Sequence, residues 1–142
     1  MASGSLQVLG VEECLALLES RHLGRVAFLD RDGPVILPVN YLLLAGSVML
    51  RTDRGGKLDA ALRGDRVAFE VDGIDTSDHT GWSVLVRGRA EVVTDQVELA
   101  HLESQPLIAW AQGSKPHYIR IDTSEISGRR IAAADLPSHW WG

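Results

Sequence analysis

Apolar residues recur at helical spacing near the start of the chain. Val11, Cys14, Leu15 and Leu18 form one stripe, which predicts a helix over Val11–Arg21. Gly24 ends that pattern. The period then changes. Arg25–Leu29, Val35–Leu44 and Val48–Thr52 are short, apolar-rich runs separated by Asp32-Gly33 and Ala45-Gly46-Ser47. Glycine at such turns tolerates positive φ, so the runs predict an antiparallel meander; connections this short cannot make parallel crossovers. Lys57–Arg63 predicts a short helix with Leu58, Ala61 and Leu62 on one side. Val67, Phe69 and Val71 alternate with Ala68 and Glu70 and predict a fourth strand, followed by a polar loop over Asp72–Gly81. Trp82–Val93 reads as a long fifth strand, Gln96–Glu103 as a helix and Pro106–Ala111 as a further helical turn. His117–Ile121 supplies a sixth strand, which Ile126–Ile131 extends.

Six strands in short connections with few helices predict a mainly β domain closed into an antiparallel barrel, since closure removes the exposed sheet edges. At 142 residues the chain suits a single domain spanning residues 1–142, with no repeat or linker to divide it. Apolar residues at 45% and charged residues at 23% fit a soluble globular protein. A net charge of −5 argues against broad nucleic-acid binding, which needs a basic surface. No apolar stretch approaches the roughly 20 residues that span a bilayer, so no membrane partner is expected. Met1–Ser5 lacks the basic start and apolar run of a signal peptide, and the lone Cys14 fits a reducing compartment; both lead to the expectation of a cytoplasmic protein.

Three segments could carry chemistry. Arg51-Thr52-Asp53-Arg54-Gly55-Gly56-Lys57 ends a strand in a cation and a hydroxyl, follows with two glycines, and opens a helix with a lysine. Glycines allow close backbone approach, helix N-termini favour anions, and Arg and Lys bind phosphate. A loop of solvated charges fits the same pattern, because the spacing is not that of a P-loop. In Pro34–Tyr41, Pro38 confines its strand to an edge or a bulge, leaving backbone groups near Asn40 for a planar heterocycle; an edge strand without a ligand is the simpler reading. In Gly81–Gly88, Trp82 reads by default as core, and Ser83 lacks a nearby histidine and carboxylate. The five histidines share no metal-ligand spacing, so no metal is expected, and Cys14 reads as core. Trp140-Trp141 suggests packing on this chain or a partner.

Together, Gly24–Ala27, Pro38–Tyr41, Arg51–Lys57, Val67–Asp72 and Gly81–Gly88 resemble the pyridoxamine 5'-phosphate oxidase-like flavin-binding proteins, over most of the chain to about Ile131. The resemblance implies a six-stranded antiparallel split β-barrel that works as a homodimer with FMN at the subunit interface. It implies that Pro38, Val39 and Asn40 line the isoalloxazine ring, that Arg51 and Thr52 meet the ring edge or ribityl phosphate, and that Lys57 meets the phosphate. Ser83 with Trp82 would sit near the FMN of the same or the neighbouring subunit, and Trp110 and Arg129 would contribute from the second subunit. Some relatives use a deazaflavin coenzyme in place of FMN. The C-terminus, Leu136–Gly142, lacks the arginine and histidine pattern with which pyridoxamine phosphate oxidases grip their substrate, so that reaction itself is not expected. A flavin-dependent oxidoreductase with a small-molecule electron donor or acceptor is the first expectation, and a flavin carrier or sensor without turnover the second. No side chain stands out as a general acid or base, so none is assigned as catalytic.

Overall fold

A computed structural model describes residues 6–75, 77, 80–105 and 117–131. The order of elements is β1 (Leu6–Val8), α1 (Val11–Glu19), β2 (Leu23–Asp30), β3 (Gly33–Leu44), β4 (Ser47–Thr52), α2 (Gly56–Arg63), β5 (Arg66–Asp75), β6 (Thr80–Val92), α3 (Gln96–Glu103), β7 (His117–Asp122) and β8 (Glu125–Ile131). Strands β6, β5, β2, β3, β4 and β7 pair in that order, and β7 returns to β6 through Ile119–Ile121 against Ala90–Val92. That closes a six-stranded antiparallel barrel, as the strand count predicts. The long strand β6 splits its pairing: its second half closes the barrel, while Gly81–Arg87 pairs with β8, and β8 with β1.

The period of two sorts each strand into an inner and an outer face. Val26 and Phe28, Val39 and Tyr41, Val48 and Leu50, Phe69 and Val71, Val84 and Val86, and Ile119 and Ile121 all enter one core. Phe69 is fully buried and meets Tyr41 edge-to-face, with ring centroids 4.9 Å apart. Helix α1 adds Cys14 and Leu18 to this core, and the Tyr41 hydroxyl donates to the Leu18 carbonyl. Burial pushes the Cys14 thiol's pKa up, in keeping with its place in the core. Helix α2 adds Ala60 and Ala61. Helix α3 packs outside the barrel, where Leu102 covers Met49, Val93 and Tyr118. Its start is capped by Asp95, whose carboxylate accepts the Glu98 N–H at 2.9 Å.

Several boundaries differ from the sequence expectation. The first helix stops at Glu19, and its buried stripe centres on Cys14 and Leu18 while Val11 stays exposed. The first hairpin turns one residue early, at Arg31-Asp32, because the Asp30 carboxylate accepts the Asp32 N–H at 2.7 Å. Ala45-Gly46 makes the second turn with φ of 51° and 78°, the mirror-image geometry hairpins favour. The expected loop over Asp72–Gly81 is largely strand: β5 runs on to Asp75 and β6 begins at Thr80. Asp72 occupies the outer face, and Gly73 leaves room for the indole of its cross-strand partner Trp82. Strand β1 has only three residues and no readable pattern; its partner β8 defines it. The helical turn expected at Pro106–Ala111 lies outside the described residues, as do Trp110, Trp140 and Trp141. No helix among the described residues is long and apolar enough to cross a membrane.

Candidate functional site

Among the described residues, the barrel interior holds a cavity of about 10 Å³, room for no more than one water, lined by Val26, Phe28, Leu50 and Lys57 among others. A cofactor-sized ligand must therefore sit outside the barrel wall.

Strands β3 and β4 pair only from Tyr41↔Leu50 onward. Beyond that point the two strands part, and the next residues are Asn40 on β3 and Arg51 on β4. The Tyr41 N–H donates to the His22 carbonyl on the β2 side, at 2.9 Å. By alternation, the backbone of Asn40 and Pro38 faces the other way, towards the open side. Pro38 thus stands where no ladder hydrogen bond is lost, as its ring requires. Arg51 and Asn40 both project from the outer face, since their neighbours Leu50 and Tyr41 belong to the core. Asn40 Nδ2 and Arg51 Nε are buried and have no hydrogen-bond partner among the described residues. A buried donor left unpaired costs about 1–3 kcal/mol, so such groups call for an acceptor.

The loop that follows joins this point to α2. Thr52 is buried, and its hydroxyl donates to the Asp53 carbonyl at 3.1 Å. Gly55 has φ 145°, ψ −166°, a conformation open only to glycine. Gly56 lies so close to Phe28 that a Cβ there would come within 2.7 Å of the ring. These two glycines let α2 start directly against the barrel wall. Lys57, in its first turn, is half-buried and makes no ion pair among the described residues. Burial lowers its pKa, opposed by the nearby Asp53 charge. The adjacent groove of about 280 Å³ is lined by Asp30, Asp32 and Asp59 as well as Arg31 and Arg63; with three carboxylates it is no anion site.

Three of the sequence-predicted residues, Asn40, Ser83 and Arg129, lie along one row of the outer face. Asn40 pairs with Leu23 on β2, Asp72 on β5 pairs with Ser83 on β6, and Ser83 pairs with Arg129 on β8. The register of β2 against β5, set by Arg25↔Glu70, puts Leu23 opposite Asp72 and completes the row. Asn40 and Ser83 are three strand spacings apart, about 14 Å. Arg129 is exposed and makes no ion pair among the described residues. Trp82 takes the opposite side from Ser83: it packs on the core side against Gly73, with the Arg21 guanidinium 5.3 Å from its ring centroid. Val39 and Thr52 also point inward, so any contact they make with an outer ligand is through backbone.

One group on this face escaped the sequence reading. Arg25 Nη1 lies 3.1 Å from both Glu70 Oε1 and Asp72 Oδ2; Arg25 stands in the adjoining outer row, between Pro38 on β3 and Glu70 on β5, and reaches across to Asp72 of the first row. Two acidic residues two apart in an otherwise apolar strand signal a shared polar face, but only the fold supplies the arginine. Burial, then the hydrogen bond and charge of Asp72, push the Glu70 pKa up to about 7 against the pull of Arg25.

A direct consequence concerns Asn40. Asn40→Leu removes the unpaired Nδ2, so the ligand-free protein should gain about 1 kcal/mol, read as a raised thermal midpoint. An unchanged or lowered midpoint would show that Nδ2 already has a partner.

The model of the family described as pyridoxamine 5'-phosphate oxidase matches residues 10–130 of this chain. Among curated proteins, uncharacterized protein Rv0080 of Mycobacterium tuberculosis is 35% identical over 127 residues, 86% of this chain and 83% of its own length. Two solved structures are similar throughout. One, from Corynebacterium glutamicum, is described as "Putative pyridoxamine 5'-phosphate oxidase"; it is 35% identical with a TM-score of 0.79, covering 90% of this chain and 94% of its own. The other, an FAD-binding protein from Mycobacterium smegmatis, is 34% identical with a TM-score of 0.72, covering 88% and 97%.

Proposed function

The chain belongs to the pyridoxamine 5'-phosphate oxidase family, and from that premise we propose that it binds a flavin on the outer face of the barrel, between two copies of itself, and works as a flavin-dependent oxidoreductase. The observation that carries this reading is the pair of buried donors, Asn40 Nδ2 and Arg51 Nε, that lack partners among the described residues where β3 and β4 part. A flavin nucleotide suits them: its ring edge and phosphate are rich in acceptors. The FAD-binding relative at 34% identity supports a flavin of this kind. The choice among FMN, FAD and a deazaflavin turns on the phosphate end, where Lys57 and the Gly55-Gly56 loop stand; the single phosphate of FMN fits that short segment.

The second copy is part of the reading for a geometric reason. Asn40, Ser83 and Arg129 share a sheet face rather than a cleft, and ligand pockets are concave. A second barrel laid on this face would turn it into a slot. The exposed apolar side chains of Leu23, Leu29 and Ile36 on the same face favour such cover.

When bound, a flavin supplies hydride or electron transfer. The chain's own part is placement. Arg51 and Asn40 would hold the acceptor edge, Lys57 would hold the phosphate, and the closed slot would keep water from the reacting face. Preorganised donors at an edge that gains negative charge stabilise the charged form. The test is bleaching. Purified protein loaded with FMN should lose its yellow colour with NADH, NADPH or another donor and regain it with an acceptor. A flavin that stays oxidised with every donor would mark a carrier or sensor instead.

A further inference from the structure

The outer face that the flavin reading places between two copies has an ionic cluster at its centre. Arg25 on β2 gives one nitrogen, Nη1, to both Glu70 and Asp72 of β5, at 3.1 Å each. With both carboxylates ionised, one positive charge faces two negative ones. The outer positions that flank the cluster on the adjoining strands, Pro38 on β3 and Leu85 and Ser83 on β6, carry no charge; Arg129 of the same outer face lies one strand further, beyond Ser83. Arg87, the next outward residue of β6, pairs with Ala68 and does not contribute to the Glu70 shift. Leu23 and Ala27 flank Arg25 on β2.

We propose that this Arg25–Glu70–Asp72 cluster links association of two copies through the outer face to the uptake of a proton by Glu70. The inference rests on the outer-face dimer proposed above. Its physical basis is simple. A face-to-face dimer with twofold symmetry brings two identical clusters into one interface. Each carries a net negative charge, and each loses water. Burying unbalanced charge is costly. One proton on Glu70 leaves Arg25 paired with Asp72 and the cluster neutral, and a protonated Glu70 can still donate to Asp72. Burial is already the largest influence on Glu70 in the single chain, and further cover acts in the same direction. With Glu70 poised at about 7, the linkage falls in the neutral range. Association should be strongest below that value and weaken as pH rises through it, by up to about tenfold per pH unit for each proton taken up.

The experiment is sedimentation equilibrium of the full chain without flavin, at about pH 6 and about pH 8.5 on either side of the Glu70 value. The dimer dissociation constant of the unaltered protein is expected to be at least about tenfold larger at the higher pH. Glu70→Gln keeps the shape and the hydrogen bond but not the charge, and should dimerise with nearly the same constant at both. Asp72→Asn, which leaves Glu70 in place but removes the neighbouring charge, should move the dependence to lower pH. A dimer whose constant does not change with pH, or a Glu70→Gln protein that keeps the full dependence, overturns the proton linkage alone. A chain that stays monomeric under all conditions overturns the dimer as well.

Discussion

Phe69→Ala is expected to remove about 3–5 kcal/mol of stability, the range for deleting a fully buried aromatic side chain. Domains of this size are stable by only about 5–15 kcal/mol, so much of the margin would go. The reason is local. Phe69 is fully buried, sits edge-to-face on Tyr41, and fills the space above Gly24, where a Cβ would lie 2.4 Å from its ring. Tyr41 in turn fixes α1 through the Leu18 carbonyl. The void would thus loosen β2, β3 and α1 together. Urea unfolding followed by tryptophan fluorescence measures the loss. A loss below about 1.5 kcal/mol, the scale of a trimmed methyl group, would mean that the barrel core is not packed as described.

Lys57→Ala is expected to weaken FMN binding by about 1.5–3 kcal/mol, the cost of a lost charge-assisted hydrogen bond. That is roughly tenfold to over a hundredfold in dissociation constant. Riboflavin, which has no phosphate, should lose far less. The half-buried setting of Lys57 adds a second expectation. Burial lowers its pKa, so the charged ammonium is held at a cost in the ligand-free protein. Because the folded-state value is depressed, that cost is present below the folded pKa and fades as pH rises through it. Lys57→Met, which keeps the stem and drops the charge, should therefore raise the thermal midpoint of the ligand-free protein at neutral pH while still weakening FMN. A residue whose removal stabilises the fold and impairs binding is held for function. Equal losses for FMN and riboflavin would show that Lys57 does not meet the phosphate.

How far the fold could be read from the sequence varied with the kind of signal. Val67, Phe69 and Val71 alternate strictly, and all three are buried. The six barrel strands were legible because turn residues punctuate them. What failed was the end of β5: Asp72 and Gly73 look like a loop, yet Asp72 faces Arg25 and Gly73 lies beneath Trp82. Their strand character comes from cross-strand partners, which a linear reading does not contain. The same limit applies to Trp82 and Ser83. Neighbours in sequence suggest one shared contact, but adjacent strand residues face opposite sides, and only Ser83 shares the outer row with Asn40 and Arg129. Arg25 escaped notice because its two carboxylate partners are 45 and 47 residues away. By contrast, Arg51, Thr52 and Lys57 are close in sequence, and the glycines between them advertise a tight approach that local pattern can reveal.

The most direct test of a flavin held between two outer faces is sedimentation of FMN-loaded protein, monitored at the flavin's visible absorbance and at the protein's ultraviolet absorbance in one run. The colour should travel with a dimer, at one flavin per chain, and Arg129→Glu should release both colour and dimer together. Colour that sediments with a monomer, or a dimer that takes up no FMN, would contradict it.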